Sequence, residues 1–466
     1  MERLESRFEE EFLKRIIEFL NYNELRVKYS VLIQPNLSEF IADPNFKNRQ
    51  ADFIIMRGRY PYMIIEVKAP TNSLSNNKGI LQNADFELEL IGADYFILTN
   101  LNEIIVVDSL NKQTSRPRNF SEIFNYFGKE LSEEEINNYR AKIAETIQRI
   151  LQEPDLIEYL SSNKRKGLEN LLRSDTLLKY IQYNIEGRFF HFFSNPQLGF
   201  DDFENRLFQD LLEPVPEENV CRYTSFETMY QMLNNKSYRM GSDIAMNDRG
   251  EIDYVDKYIG LFYKPLQSLS LSEMQLLNNS YISSCTISEK QDDLTMYRLY
   301  AEDSKGVCLC FNVKNIAPSK HMLLKKISYA KAKGNHPELE FIKKIVTRIN
   351  SVYHLRFRFL YLDIWKHFFK PHDYEIEKEV RLLYLDNLSP TPHKGWVITN
   401  PDKILSKYVL FSLNAPDFPL SLTKIILGPN FPESLLNKRQ LEVFLNEQNL
   451  QLVKVENSRI ESYRKS

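Results

Sequence analysis

Glycine is scarce in this 466-residue chain: 14 residues, about 3% against roughly 7% in an average protein. That leaves little material for flexible linkers or for glycine loops that cradle phosphates. No G-x-x-x-x-G-K-[ST] sequence occurs, so a P-loop ATP motor within the chain is excluded. The four cysteines, Cys221, Cys285, Cys308 and Cys310, form no CxxC pair and no Cys/His cluster along the sequence, which argues against structural zinc. Cys308 and Cys310 alternate along a β-prone run, too close together for an ordinary disulfide. Buried, reduced thiols in a cytoplasmic protein are the expectation. No run of about 18 apolar residues exists, so neither a membrane span nor a membrane partner is expected. The start, MERLESRFEEEFLKRIIEFL, is acidic and amphipathic rather than basic-then-apolar, unlike a secretory signal. A formal charge of −3 excludes a wholly basic nucleic-acid coat while permitting a local basic cleft.

What is present is material for a large core: 43% hydrophobic residues, including 30 Phe and 26 Tyr. The length predicts two or three domains. Leu4, Phe8, Phe12, Ile16 and Leu20 recur every fourth residue, an amphipathic first helix. Short β-prone runs follow at 51–57, 62–68, 93–100 and 103–108, with a helical stretch at about 78–91. Helix, strands, helix, strands predicts an α/β domain around a mixed sheet over residues 1–112. Residues 113–215 read as a helical connector, closed by the two prolines of PVPEEN. Residues 216–466 mix short β-prone runs with a helical stretch at about 337–369, an α+β domain. No period of 20–50 residues repeats.

Chemistry concentrates in YMIIEVKAP. Glu66 and Lys68 stand two apart on a strand and share a face, while Val67 points to the other. A hairpin through the turn-like RGRYP brings Asp52 beside Glu66. Two adjacent carboxylates repel unless a cation joins them, and hard oxygen donors suit Mg²⁺ or Mn²⁺. A lysine beside that cation can orient or deprotonate water, or stabilise charge building on a phosphate. A lone E-x-K is common by chance; its weight here comes from Asp52 upstream, from Gln82-x-x-x-Phe86 downstream, and from the returning run FILTN.

With those residues assembled, D52-x13-E66-V-K68-A-P, Q82-NAD-F86 and FILTN resemble the PD-(D/E)xK nuclease superfamily, closest to the N-terminal nuclease domain of type I and type III restriction subunits. The resemblance covers about residues 1–110 and implies a restriction-endonuclease-like fold. It also implies Asp52 and Glu66 as metal ligands, Lys68 beside the nucleophile, and Gln82 contacting substrate. A first-helix glutamate often completes the metal shell in that family. Glu9 is chosen by its distance from Leu20, with Glu5 and Glu10 competing. Ala51 stands where the family's proline would be, and Phe86 where its tyrosine would be.

The second half resembles a widespread bacterial domain of unknown function over about 220–385. The carrying residues are RYTS (222–225), Asn247-Asp248-Arg249-Gly250-Glu251, MYRLYA, GVCLCF and Glu377-Lys378-Glu379-Val380-Arg381, with Tyr297 where tryptophan is usual. Arg222, a Ser/Thr-rich strand containing Ser284, and the glutamates Glu377 and Glu379 also resemble the R–S–E order of ADP-ribosyltransferases, which implies NAD as cofactor. The plainer alternatives are Ser225 as a helix cap and a solvated charged strand.

The expected protein is therefore a cytoplasmic Mg²⁺- or Mn²⁺-dependent nuclease, an endodeoxyribonuclease ahead of an RNase. Its expected role is that of a bacterial anti-phage or restriction-type effector whose C-terminal domain senses or targets. A homo-oligomer or a partner defence protein is compatible with that reading. The alternative is an ADP-ribosyltransferase-like effector with an auxiliary nuclease fold. Three local features weigh little: GRFFHFF with His191 reads as core, the basic run 323–336 as a solvated strand and loop, and Trp365 and Trp396 have no interpretable pattern.

Overall fold

A computed structural model describes residues 2–22, 29–37, 50–57, 60–69, 74, 84, 88, 91, 93–100, 102–109, 113–117, 119–127, 130–154, 156–157, 166–172, 174–185, 188–213, 215, 219–242, 249–259, 279–314, 321–332, 334–353, 356–386, 393–398, 405–413, 415 and 418–461. Among these, no helix is long and apolar enough to cross a membrane.

The first unit is α1 (Glu2–Tyr22) and a six-stranded mixed sheet in sequential order: β1 (Tyr29–Ile33), β2 (Phe53–Arg57), β3 (Tyr60–Val67), β4 (Tyr95–Thr99), β5 (Ile104–Asp108) and β6 (Gln113–Ser115). Only β3 and β4 pair in parallel, the connection that needs a crossover segment. The four strands expected from the sequence are all present. Phe12, Ile16 and Leu20 of α1 are each 1% exposed and pack on Phe53, Ile55, Ile65 and Val67. Burying each such side chain contributes about 1.5–3 kcal/mol. Ile54, Ile64, Phe96 and Leu98 point to the opposite face, where they meet Ala84, Leu88 and Ile91. Those three residues are helical, and the rest of the expected 78–91 helix, including Gln82 and Phe86, lies outside the described residues.

The region 113–215 holds more than helices. The helix Glu133–Ile150 begins with a capping box: Ser132 Oγ accepts from Glu135 N at 3.2 Å, and Glu135 Oε2 from Ser132 N at 2.8 Å. It is joined by β7 (Ile181–Asn184) and β8 (Phe189–Phe192), which form a small sheet with β15 (Phe357–Arg358). One core unites helices Glu133–Ile150, Phe203–Leu211 and Pro337–Tyr353 with Trp365. Phe189, Phe190 and Phe192 are buried, and so is His191, whose Nδ1 sits 2.7 Å from Phe192 O. The buried Trp365 stacks on Phe208 and donates from Nε1 to Asn205 Oδ1 at 2.7 Å.

The remaining strands are β9 (Asn219–Thr224), β10 (Ser237–Ser242), β11 (Ser280–Ile287), β12 (Val307–Val313), β13 (Met322–Lys326), β14 (Ser328–Tyr329), β16 (Phe369–Lys370), β17 (Glu379–Leu385), β18 (His393–Ile398), β19 (Leu405–Ser412), β20 (Leu420–Leu427) and β21 (Lys454–Asn457). Ten of them build one sheet, ordered β18-β19-β10-β11-β9-β12-β20-β21, with β17 attached to β11 and β13 to β17. Alternation along the strands divides its two faces. Val220, Cys285, Leu309, Phe311, Val380 and Leu382 enter one core. Cys221, Tyr223, Cys308 and Cys310 enter another, smaller one with Tyr297.

A buried ion cluster joins the first unit to the rest. Asp94, 2% exposed, receives Arg188 Nη1 at 2.7 Å and Arg356 Nη1 at 2.8 Å.

Candidate active site

The β2–β3 hairpin is antiparallel with Phe53 opposite Ile65. One step along this register stand Asp52, just before β2, and Glu66, at the penultimate position of β3. Asp52 is held at both ends: its Oδ2 accepts from Val67 N at 2.6 Å, and its carbonyl accepts from Gln34 N at 2.9 Å. The first of these bonds fixes the orientation of the carboxylate.

Glu66 and Lys68 leave the strand on the face that carries Ile64, while Val67 is buried in the α1 core, as period-2 alternation requires. Lys68 Nζ lies 3.1 Å from Glu66 Oε2. Both side chains remain partly open, at 23% and 14% exposure, so the pair is reachable from solvent. Lys68 N continues the parallel ladder, donating to Thr99 O at 2.7 Å. Asn100 ends FILTN as a turn: its Oδ1 accepts from Asn102 N at 3.1 Å and Glu103 N at 2.6 Å. The buried Asn100 thus serves the β4–β5 connection.

Glu9 of α1 reaches the same end of the sheet through a residue that the sequence did not single out. Gln34 donates from Nε2 to Glu9 Oε2 at 3.4 Å while its backbone holds Asp52. Its backbone takes a left-handed φ of 46°, where a bulky β-branched residue would be strained, and no pattern in the sequence marks it. Of the competing helix residues, Glu10 is exposed, and the side chain of Glu5 lies outside the described residues. Glu9, Asp52 and Glu66 do not converge as a preformed triad: among the described residues, the only three such ligand groups with atoms all within 4.8 Å are the thiols of Cys221, Cys308 and Cys310. This corrects the expectation drawn from spacing that no cysteine cluster exists, because β9 and β12 bring together thiols that are distant in sequence.

In the C-terminal sheet the candidate residues separate. The Arg222 guanidinium lies over the Tyr238 ring, 5.0 Å from its centroid, on the face that carries Val220. Cys221, its neighbour on the opposite face, pairs with Thr286, which pairs with Glu379. Arg222 and Glu379 therefore project from opposite sides of the sheet. Glu379 is enclosed by cations: Arg381 Nε at 2.6 Å and Nη2 at 3.1 Å, and Lys370 Nζ at 2.8 Å. Burial pushes the Glu379 carboxyl up, but Arg381 and Lys370 outweigh it and hold it at about 2. Glu377 takes the same Lys370 ammonium at 2.8 Å and the Tyr300 hydroxyl at 2.5 Å. A cavity of about 350 Å³ beside this network is lined in part by Lys326, Tyr329, Glu338 and Glu379. Ser284 is exposed, opposite Arg381 in register. Ser225 caps the following helix, its Oγ accepting from Thr228 N at 3.0 Å. Asn247 and Asp248 lie outside the described residues, as does the side chain of Glu251.

Comparisons with known proteins match two separate stretches of the chain. Residues 5–123 match the family described as type I restriction enzyme R protein N terminus. Residues 296–382 match a protein family of unknown function, DUF2971. No curated protein matches. A solved fragment assigned to an HsdR subunit of a type I restriction enzyme from Vibrio vulnificus YJ016 is similar at 15% identity and a TM-score of 0.15, covering 35% of this chain and 29% of that one. The first unit is thus a mixed α/β body similar in sequence to the start of restriction-enzyme R subunits.

Proposed function

We propose that the first unit is a divalent-metal-dependent nuclease, acting on DNA ahead of RNA. The observation that carries this reading is the grouping of Asp52, Glu66 and Lys68 at one end of a buried hairpin, with Lys68 Nζ 3.1 Å from Glu66 Oε2 and Asp52 fixed by Val67 N. The donor set fits a hard cation: two carboxylates in register, partly open to solvent, with an ammonium alongside. Asp52 and Glu66 would hold Mg²⁺ or Mn²⁺, with Glu9 approaching through Gln34. The bound cation would supply charge neutralisation at the scissile phosphate and a water of lowered pKa.

The chain's own part is to position the reacting groups and stabilise charge. Val67 N–H orients the Asp52 carboxylate. Glu66 holds the Lys68 ammonium near its own oxygen, where Lys68 can orient the attacking water or stabilise the charge gathering on phosphorus. Water oxygen bonds to phosphorus and gives up its proton to solvent as the phosphorus–oxygen bond to the leaving nucleotide breaks, and the leaving oxygen takes a proton from solvent. Gln82 would contact the substrate strand. By association with restriction-subunit domains, the cleavage serves defence against foreign DNA, with the C-terminal sheet restraining or aiming it.

An NAD-cleaving reading of the C-terminal sheet lacks comparable support, since Arg222 and Glu379 face apart and Glu379 is saturated by Arg381 and Lys370. Incubating the protein with supercoiled plasmid, single-stranded DNA and RNA, each with Mg²⁺ or with chelator, tests the proposal. Chelator-sensitive cleavage of DNA is expected. Cleavage of none of the three contradicts it.

A further inference from the structure

Cys221 on β9 and Cys310 on β12 stand directly opposite each other in an antiparallel ladder, their sulfurs 3.8 Å apart. Cys308, two positions before Cys310, projects to the same face, and the three sulfurs all lie within 4.8 Å of one another. All three are at most 4% exposed. The ladder between β12 and β20 slips its register between Cys310 and Phe311, the kind of irregularity that re-aims a side chain.

We propose that Cys221, Cys308 and Cys310 form a thiolate site for one thiophilic d¹⁰ cation, Zn²⁺ or Cu⁺. Thiolate sulfur selects these ions over Mg²⁺ or Ca²⁺. A zinc–sulfur bond of about 2.3 Å places tetrahedrally arranged sulfurs about 3.8 Å apart, the separation found for Cys221 and Cys310. Lys424, itself paired with Glu456 at 3.4 Å, lies near Cys310, and the Asp292 backbone meets the Cys308 sulfur. Tyr223 and Tyr297, packed edge to face at 4.9 Å, wall the cluster off from solvent. On binding, each thiol gives up its proton as its sulfur–metal bond forms, so three protons leave per cation. The site would clip β9 to β12 beside the helix Leu294–Tyr300, a structural role independent of the nuclease proposal.

The test uses full-length protein carrying Asp52→Ala and Glu66→Ala, so that the oxygen ligands of the first unit hold no metal. Purified under reducing conditions, it is assayed for metal by mass spectrometry and for a sulfur-to-metal charge-transfer band after Co²⁺ exchange. About one equivalent of Zn²⁺ or copper per chain and a cobalt–thiolate band are expected. Both should disappear in Cys221→Ser and persist in Cys285→Ser, whose thiol lies in the other core. Folded parent protein with no bound metal and four free thiols overturns the proposal, as does a Cys221–Cys310 disulfide in that protein. Persistence of metal and band in Cys221→Ser also overturns it.

Discussion

Asp94 and Arg356 form a buried ion pair, Oδ1 to Nη1 at 2.8 Å, that ties β4 of the first unit to the strand entering the central core. Arg188 grips the other oxygen of Asp94 at 2.7 Å. Removing the carboxylate leaves two enclosed guanidinium groups without their shared anion. Asp94→Ala should therefore cost about 3–5 kcal/mol, the range for breaking a buried pair from one side. Urea unfolding followed by tryptophan fluorescence and by far-UV circular dichroism checks this, and both transitions should move to lower urea.

A second prediction concerns acid stability. The Glu379 carboxyl sits at about 2 in the folded protein against an ordinary 4.5. A depressed folded value means the stabilisation is complete above the unfolded value and is lost as pH falls from about 4.5 through 2. The difference corresponds to about 3 kcal/mol. Glu379→Gln should flatten that acid limb in denaturant midpoints measured from pH 6 to pH 2.

Glu204 works in the opposite direction. Its fully buried carboxyl is pushed by burial up to about 8, although Tyr361 N donates to it at 2.7 Å. A raised folded value gives stability that is complete below about 4.5 and lost as pH rises through 8. Glu204→Gln should therefore remove part of the decline in stability between about pH 4.5 and pH 8, read as a midpoint less sensitive to pH.

Gln34 joins Glu9 to the backbone of Asp52. Truncating it should weaken metal binding without removing a direct ligand. Gln34→Ala is expected to lower Mn²⁺ affinity about 10-fold, the lower end for a residue that orients ligands. Calorimetric titration measures this, and Asp52→Ala should lose far more.

The sequence exposed the centre of the proposed active site because strand alternation and hairpin pairing are local: Asp52, Glu66 and Lys68 fall within 17 consecutive positions, and β2–β5 are strongly apolar. The edge strand β1 escaped notice because its apolar run YSVLI (Tyr29–Ile33) shows no alternation marking a buried face, and three of its five residues are exposed. The thiol cluster escaped because its geometry depends on β9 pairing with β12, which no spacing rule along the chain encodes. Likewise, the Glu377–Glu379 pair suggested an open catalytic strand until Lys370 and Arg381 closed around it. The connector proved to be part of a core shared with helix Pro337–Tyr353, a long-range packing that helical periodicity alone does not reveal.

The nuclease proposal is tested most directly by single-turnover plasmid cleavage with Mg²⁺, comparing the wild type with Lys68→Ala at matched folding by circular dichroism. Loss of a group stabilising the reacting phosphate should lower the rate by about 10²–10³-fold, with Mn²⁺ affinity changed much less. Equal cleavage by the two proteins would contradict the assignment of Lys68, and with it the proposed active site.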